Sequence, residues 1–251
     1  MSLSFAKPTT RTIIRTLIPI GTALLAFVVT GFLLLAGGFD PLEAYGLILQ
    51  GSVGGVREGG ETLVRTTSLL LTGLAVGFAF RCRVWNIGAE GQLYFGAIGA
   101  VVIALTVAGQ IPVFGVIIAI IFAMIFGAGW AAIAGVLKSR LGVNEIIVTV
   151  MLNFIAILFV DFLVHGALKA PGFEPQTALI PLTSQLPILI EGTRFHAGFL
   201  VAIAAAVLIY LILFKTKTGF SLRATGVNPK ASGYAGINVK RSILLTLLIS
   251  G

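Results

Sequence analysis

The sequence predicts an all-α polytopic membrane protein, a bundle of six full transmembrane helices followed by the start of a seventh. Hydrophobic residues make up 57% of the 251 residues and charged residues only 10%, whereas soluble proteins carry about 25% charge. Apolar runs long enough to cross about 30 Å of hydrocarbon recur along the whole chain. The runs are continuous rather than alternating, which favours helices over strands.

The chain is predicted to form a single transmembrane domain over residues 1–251. The first run follows three basic residues and is too long for the apolar core of a signal peptide. A final run, 242–251, would rise only about 15 Å as a helix, so we expect an incomplete seventh span and a fragment or a truncated end. The six full runs lie at 17–36, 62–80, 90–108, 112–137, 145–164 and 198–214.

The distribution of basic residues predicts a cytoplasmic N-terminus in a cell (inner) membrane. With this orientation only four of the 17 Lys and Arg residues fall outside: Arg57, Arg65, Lys169 and Arg194. Lys and Arg concentrate in the cytoplasmic loops of membrane proteins, which explains the net charge of +8. Membrane lipid is therefore an expected partner, and nucleic acid is not. Two long outer loops, 37–61 and 165–197, are candidates for receiving an external partner, and passive connectors are the alternative.

Enzyme chemistry is not expected from this sequence. The single cysteine, Cys82, excludes an intrachain disulfide. His165 and His196 are isolated, and the sequence has no metal-ligand motif and no nucleophile–base constellation. We therefore predict no catalytic residue, no metal and no cofactor.

Small residues predict close helix packing at two places. Gly73 and Gly77 form a GxxxG pattern, and Ala131 and Gly135 form a weaker one. Such pairs allow helices to approach closely in lipid.

Polar residues at the start of the third span suggest a functional site. Asn86 is a predicted N-cap, Glu90 falls in the first turn of the helix, and Gln92 follows. Helix starts of this kind build polar sites in transporters. The alternative is a capped helix end at the membrane interface.

A second polar stripe begins the fifth span. Asn144 is a predicted cap, and Glu145, Thr149 and Asn153 follow at i, i+4 and i+8 on one helix face. An intramembrane polar stripe usually faces the bundle interior or an aqueous path. Hydrogen bonding between helices by Thr149 and Asn153 is the alternative.

The inner loop 215–241 is predicted to hold two short helices. The first covers 220–225 and ends at Gly226; the second starts at Asn228–Pro229 and ends near Gly236. The two helices would form a docking surface on the cytoplasmic side. The alternative is a solvated, positively charged loop that binds no partner.

Three motifs make the chain resemble permease subunits of ABC-type importers, in the group that serves branched-chain amino acids, simple sugars and nucleosides. Residues 86–92 (Asn-Ile-Gly-Ala-Glu-Gly-Gln) are similar to the family's NIG-x-EGQ motif. Residues 143–153 resemble the NE-x-I-x-T-x-MLN pattern of the nucleoside branch, and 219–237 resemble the cytoplasmic coupling loop. Family permeases continue with several more spans.

The resemblance implies a permease domain that works with a cytoplasmic ABC ATPase, a second permease subunit and an extracytoplasmic substrate-binding lipoprotein. The chain has no GxxxxGK[ST] motif, so a separate subunit would hydrolyse ATP. The resemblance places a substrate path at Asn86, Glu90, Gln92, Asn144, Glu145, Thr149 and Asn153. It places ATPase coupling at Gly219, Arg223, Gly226, Asn228, Pro229 and Gly236.

Nucleosides are the expected substrates. A sugar or branched-chain amino acid permease is the nearest alternative. An ATP-independent secondary transporter or channel, and a non-transporting remnant or assembly subunit, are the alternatives from other classes.

Overall fold

The computed structural model describes residues 10–111 and 114–251, with side chains from residue 17 onward. Lys7 and the side chains of Arg11 and Arg15 lie outside the described residues, as does the predicted start of the fourth span at 112. The described ranges contain ten α-helices: α1 (Thr10–Ala36), α2 (Pro41–Val53), α3 (Val56–Arg81), α4 (Ala89–Thr106), α5 (Gly115–Leu141), α6 (Glu145–His165), α7 (Gly198–Lys215), α8 (Lys217–Val227), α9 (Pro229–Tyr234) and α10 (Val239–Ser250).

Six of these helices, α1 and α3–α7, are long and apolar enough to cross a membrane. This confirms the predicted all-α fold with six full spans. Helix α10 is the short apolar run that follows the inner loop, capped by the Asn238 side chain, which accepts a hydrogen bond from the Arg241 backbone N–H at 2.9 Å. Segment 166–197, which the sequence predicts to be an outer loop, has short 3₁₀ structure at Leu182–Ser184 and an isolated antiparallel bridge between Ile188 and His196.

The N-terminal unit, which extends to Thr62, contains a helix where the sequence analysis expected an outer loop. Helix α2 forms because the Asp40 side chain accepts a hydrogen bond from the Leu42 backbone N–H at 2.8 Å. Tyr45 on this helix donates to the Phe27 carbonyl of α1 at 2.6 Å, and their rings meet edge to face. The prediction of a loop over 37–61 was therefore wrong for most of its length.

The second unit, from Leu63 onward, packs through small residues. A side chain at Gly99 of α4 would collide with the Phe126 ring of α5, and one at Gly135 of α5 would collide with Leu244 of α10. Ala131 is also buried. Glycine and alanine are needed here because the helix backbones approach closely. The predicted packing face at Ala131 and Gly135 is confirmed.

The GxxxG face of α3 is different. Among the described residues, no atom comes within 4 Å of the place where a side chain would begin at Gly73 or at Gly77. These glycines therefore contact no other helix within the described residues of this chain, and the packing face that they form stays a prediction.

The core lies where the α3–α4 linker (residues 82–88) meets α8 and α10. Phe78 of α3, Val84 of the linker, Leu222 of α8 and Leu247 of α10 are almost completely buried in one apolar cluster. Cys82 belongs to it, and burial raises the pKa of its thiol. The core thus joins the inner loop to the segment that carries the NIG-x-EGQ motif.

The inner loop folds into two helices, as predicted, but the first is longer. Thr216 caps α8 by accepting a hydrogen bond from the Gly219 N–H at 3.0 Å, and the helix continues to Val227. Gly226 does not end it. A side chain at Gly226 would collide with the Arg81 carbonyl and with Cys82 Cα, so glycine allows the helix to lie against the α3–α4 linker.

The second helix matches its prediction. Asn228 caps α9 by accepting a hydrogen bond from the Ala231 N–H at 3.1 Å, and Pro229 is its first residue. Gly236 follows the helix with φ of +82°, a left-handed conformation that favours glycine.

Candidate functional site

The α3–α4 linker holds the first group of predicted site residues. Asn86 is not the N-cap of α4, because the helix begins at Ala89 and the capping position is Gly88. The Asn86 side-chain oxygen accepts a hydrogen bond from the Gly88 N–H at 3.0 Å, which makes a turn ahead of the helix. Glu90 lies in the first turn, as predicted, and is exposed.

Asn86 is the centre of a buried hydrogen-bond network, which we call the Asn86 cluster (Asn86, Gln92 and Ser250). The Asn86 amide nitrogen donates to Gln92 Oε1 at 3.0 Å and to Ser250 Oγ at 2.6 Å. Gln92 Nε2 donates back to Asn86 Oδ1 at 3.0 Å, and Ser250 donates to the Ala75 carbonyl at 2.7 Å. The cluster therefore connects α3, the linker, α4 and α10.

Asn153 attaches the same linker to α6. Its Oδ1 accepts from the Gly91 N–H at 2.8 Å, and its amide nitrogen donates to the Ile87 carbonyl at 2.9 Å. Thr149, one turn earlier, is fully buried, and its hydroxyl donates to the Glu145 carbonyl at 2.7 Å within the same helix. The polar stripe of α6 thus faces the linker.

The start of α6 is held by two interactions. Asn144 caps the helix as predicted, accepting a hydrogen bond from the Ile146 N–H at 2.9 Å. The Glu145 carboxylate pairs with Lys138 of α5 across the short α5–α6 turn, with an N–O distance of 2.7 Å. The pair is unequal, because the Glu145 side chain is 9% exposed and the Lys138 side chain 29%.

The unequal burial of this pair predicts unequal mutant effects. Lys138→Met leaves a buried carboxylate without its partner and is expected to destabilise the protein by about 2–3 kcal/mol. Glu145→Gln leaves an ammonium group that reaches solvent, so a smaller loss of about 1 kcal/mol is expected. Thermal unfolding in detergent measures both, and the double variant should be more stable than Lys138→Met alone. Equal losses in the two single variants would contradict this assignment.

The six predicted coupling residues divide into two groups. Gly219, Arg223 and Gly226 lie against the rest of the chain. Gly219 leaves no room for a side chain beside the end of α7, and the Arg223 guanidinium lies 5.0 Å from the centre of the Phe214 ring. Asn228, Pro229 and Gly236 are exposed. The first group attaches α8 to the bundle, and the second group, which is exposed, is accessible to a partner.

Three features of the site were not identified from the sequence. Lys138 could have been found, because a basic residue near the end of α5 and an acid at the start of α6 are joined by a short turn. Ser250 could not, since its partner Asn86 lies 164 positions away. A stack of Phe95, Trp130 and Phe159 also had no sequence signal, because its members come from three helices.

A family described as "branched-chain amino acid transport system / permease component" matches residues 60–251. The chain belongs to this permease family. The matched range includes most of α3 and all of α4–α10, and it therefore contains the whole Asn86 cluster.

Several characterised relatives resemble the permease over most of its length. It is 36% identical to a guanosine ABC transporter permease of Bacillus subtilis over 240 residues, which cover 94% of this chain and 68% of the relative. It is 32% identical to a nucleoside ABC transporter permease of Lactococcus lactis, with the same coverage. A glucose ABC transporter permease of Haloferax volcanii is 33% identical, and the match covers 93% of this chain and 64% of the relative.

The permease therefore spans about two thirds of the length of these relatives. No solved structure matches it. It is a multi-pass membrane protein and a permease subunit of an ABC importer, and thus a transport subunit rather than an enzyme.

Proposed function

We propose that this permease forms the membrane pathway for nucleosides in an ABC importer. Its partners would be a cytoplasmic ABC ATPase, a second permease subunit and an extracytoplasmic binding lipoprotein. The guanosine and nucleoside permeases named above support the substrate class. The glucose permease of Haloferax volcanii supports a sugar as the second candidate.

The observation that carries this proposal is the contact of α8 with the α3–α4 linker. Gly226 of α8 lies against Arg81 and Cys82, and the same linker continues into Asn86 and Ile87. These two residues are bonded to α10 and α6. A force applied to α8 would therefore reach helices of the bundle directly through a short segment.

The outward side of α8 and α9 is the proposed docking surface for the ATPase. Phe220, Val227 and Tyr234 are 61%, 75% and 94% exposed, whereas Leu222 points into the core. Exposed aromatic residues are typical anchors of protein interfaces. This assignment requires the inner loop, and with it the N-terminus, to be cytoplasmic. Accessibility labelling tests this orientation, with single cysteines introduced at Lys230 and at Phe173.

Tyr234→Ala is expected to weaken ATP-driven uptake about tenfold or more, because interface aromatics of this kind are worth about 2 kcal/mol. Protein stability should not change, since the ring is 94% exposed. Uptake and the ATPase rate of the assembled importer are the measurements. Phe154→Ala is the matched control, because that ring is 59% exposed on α6, outside the inner loop and the predicted outer loops. Unchanged uptake in Tyr234→Ala would exclude this docking surface.

The substrate class is tested by uptake into cells that lack other nucleoside importers. Cells that express the permease with its partners should accumulate radiolabelled guanosine or uridine but not glucose or leucine. Depletion of ATP should abolish uptake while an imposed ion gradient should not restore it. Glucose uptake without nucleoside uptake would favour the second candidate, and uptake that follows an ion gradient would contradict the ABC mechanism.

A further inference from the structure

The side-chain amides of the site are already occupied by the protein's own groups. Asn86 uses both N–H donors and its oxygen within the Asn86 cluster and on the Gly88 N–H. Asn153 uses its amide nitrogen and its oxygen on the linker backbone. An amide side chain has two donors and one oxygen to offer. Both residues therefore hold the linker in place; Asn86 has no N–H left for a substrate, whereas Asn153 keeps one.

Three aromatic rings from three helices lie next to this region. Phe95 of α4 is stacked on Trp130 of α5, with ring centres 3.5 Å apart and planes 11° apart. Phe159 of α6 stacks on Phe95, with centres 5.5 Å and planes 10° apart. We call these rings the aromatic stack. A row of parallel aromatic rings can be extended by a further flat ring, and every nucleobase offers such a flat face.

Trp130 also presents a buried hydrogen-bond donor. Its indole Nε1 is inaccessible to solvent, and none of the residues that the structure describes accepts a hydrogen bond from it. Trp130 lies about 22 Å from the start of α5 and about 16 Å from its end, so it is deep within the span. Buried donors in such a place are normally paired, because the lipid supplies no acceptor.

The aromatic stack adjoins the Asn86 cluster. Gly127, one turn before Trp130, lies against the Gln92 carbonyl, and Phe95 follows Gln92 by three residues on α4. The linker that contacts α8 therefore leads directly to one ring of the stack. A substrate bound there would be next to the segment that the ATPase is proposed to move.

We infer that the aromatic stack is the subsite for the base of a nucleoside, and that Trp130 Nε1 donates a hydrogen bond to an acceptor atom of that nucleoside. A nucleoside carries acceptor atoms on its ribose and on the edge of its base, and Trp130 Nε1 is a donor at the edge of a ring of the stack. A nucleoside would thus stack its base on the rings and supply an acceptor to the unpaired donor. This inference rests on the proposed function and assigns residues to it.

Uptake kinetics test the two features separately. Trp130→Phe keeps a ring and removes the donor, and Phe159→Leu removes a ring. Each is expected to raise the KM for guanosine uptake about tenfold, the effect of one hydrogen bond or one stacked ring. Phe154→Leu is the matched control, because its side chain is 59% exposed and lies outside the stack and the linker. An unchanged KM in both stack variants would overturn the subsite.

Fluorescence supplies a test that does not depend on the folding of a stack variant. The protein has two tryptophans, so Trp85→Phe leaves Trp130 as the only emitter. Guanosine added to this purified variant should quench the emission in a saturable manner, and glucose should not. Absence of quenching while the same variant still imports guanosine would contradict the subsite and leave the proposed function intact. A wild-type importer that takes up no nucleoside would contradict both.

Discussion

Asn86→Leu is expected to prevent most of the protein from folding. The leucine leaves the Gln92 amide and the Gly88 N–H without their partners, while Ser250 retains the Ala75 carbonyl. Loss of a buried network of this size costs about 3–5 kcal/mol, because each buried polar group keeps its desolvation penalty without a compensating bond. The measurement is the fraction of monodisperse protein after detergent extraction, together with its midpoint of thermal unfolding.

Gln110→Leu is the matched control for this prediction. Gln110 is exposed, and its side chain bonds to the Thr106 carbonyl of the preceding helical turn. Its replacement should change stability by less than about 0.5 kcal/mol. A folded Asn86→Leu protein with the thermal midpoint of this control would show that the Asn86 cluster does not hold the linker.

Gly226→Ala is expected to abolish ATP-driven uptake without preventing membrane insertion. The added methyl group collides with the Arg81 carbonyl and with Cys82 Cα, and backbone atoms cannot move aside as a flexible side chain would. Helix α8 must then shift away from the α3–α4 linker. We expect uptake to fall more than tenfold while the membrane level of the protein stays near that of the wild type.

The control for the second prediction lies on α1, outside the inner loop. Gly21→Ala also replaces a glycine within a helix, and the described structure has no atom within 4 Å of the new methyl group. Both substitutions improve helix propensity to a similar degree, so they differ in the contact alone. Equal uptake by the two variants would disprove a role for the contact of α8 with the linker in coupling.

The sequence by itself determined the six membrane-spanning helices and several of the helix caps. Long apolar runs have one stable form in lipid, because only a helix pairs its backbone groups internally. Asn144 and Asn228 were identified as caps for a local reason, since a cap binds backbone N–H groups only two or three residues away. The motifs at 86–92, 143–153 and 219–237 likewise indicated the permease family before any contact was known.

The tertiary structure decided which partners the polar and small residues have. Asn86 was interpreted as a cap, but its hydrogen bonds reach Gln92 and Ser250, and no local pattern encodes a partner 164 positions away. Gly226 was interpreted as a helix end, yet it is the point where α8 approaches the linker. Propensity depends on neighbours in the chain, whereas these contacts depend on how the helices pack, and only the folded bundle brings them together.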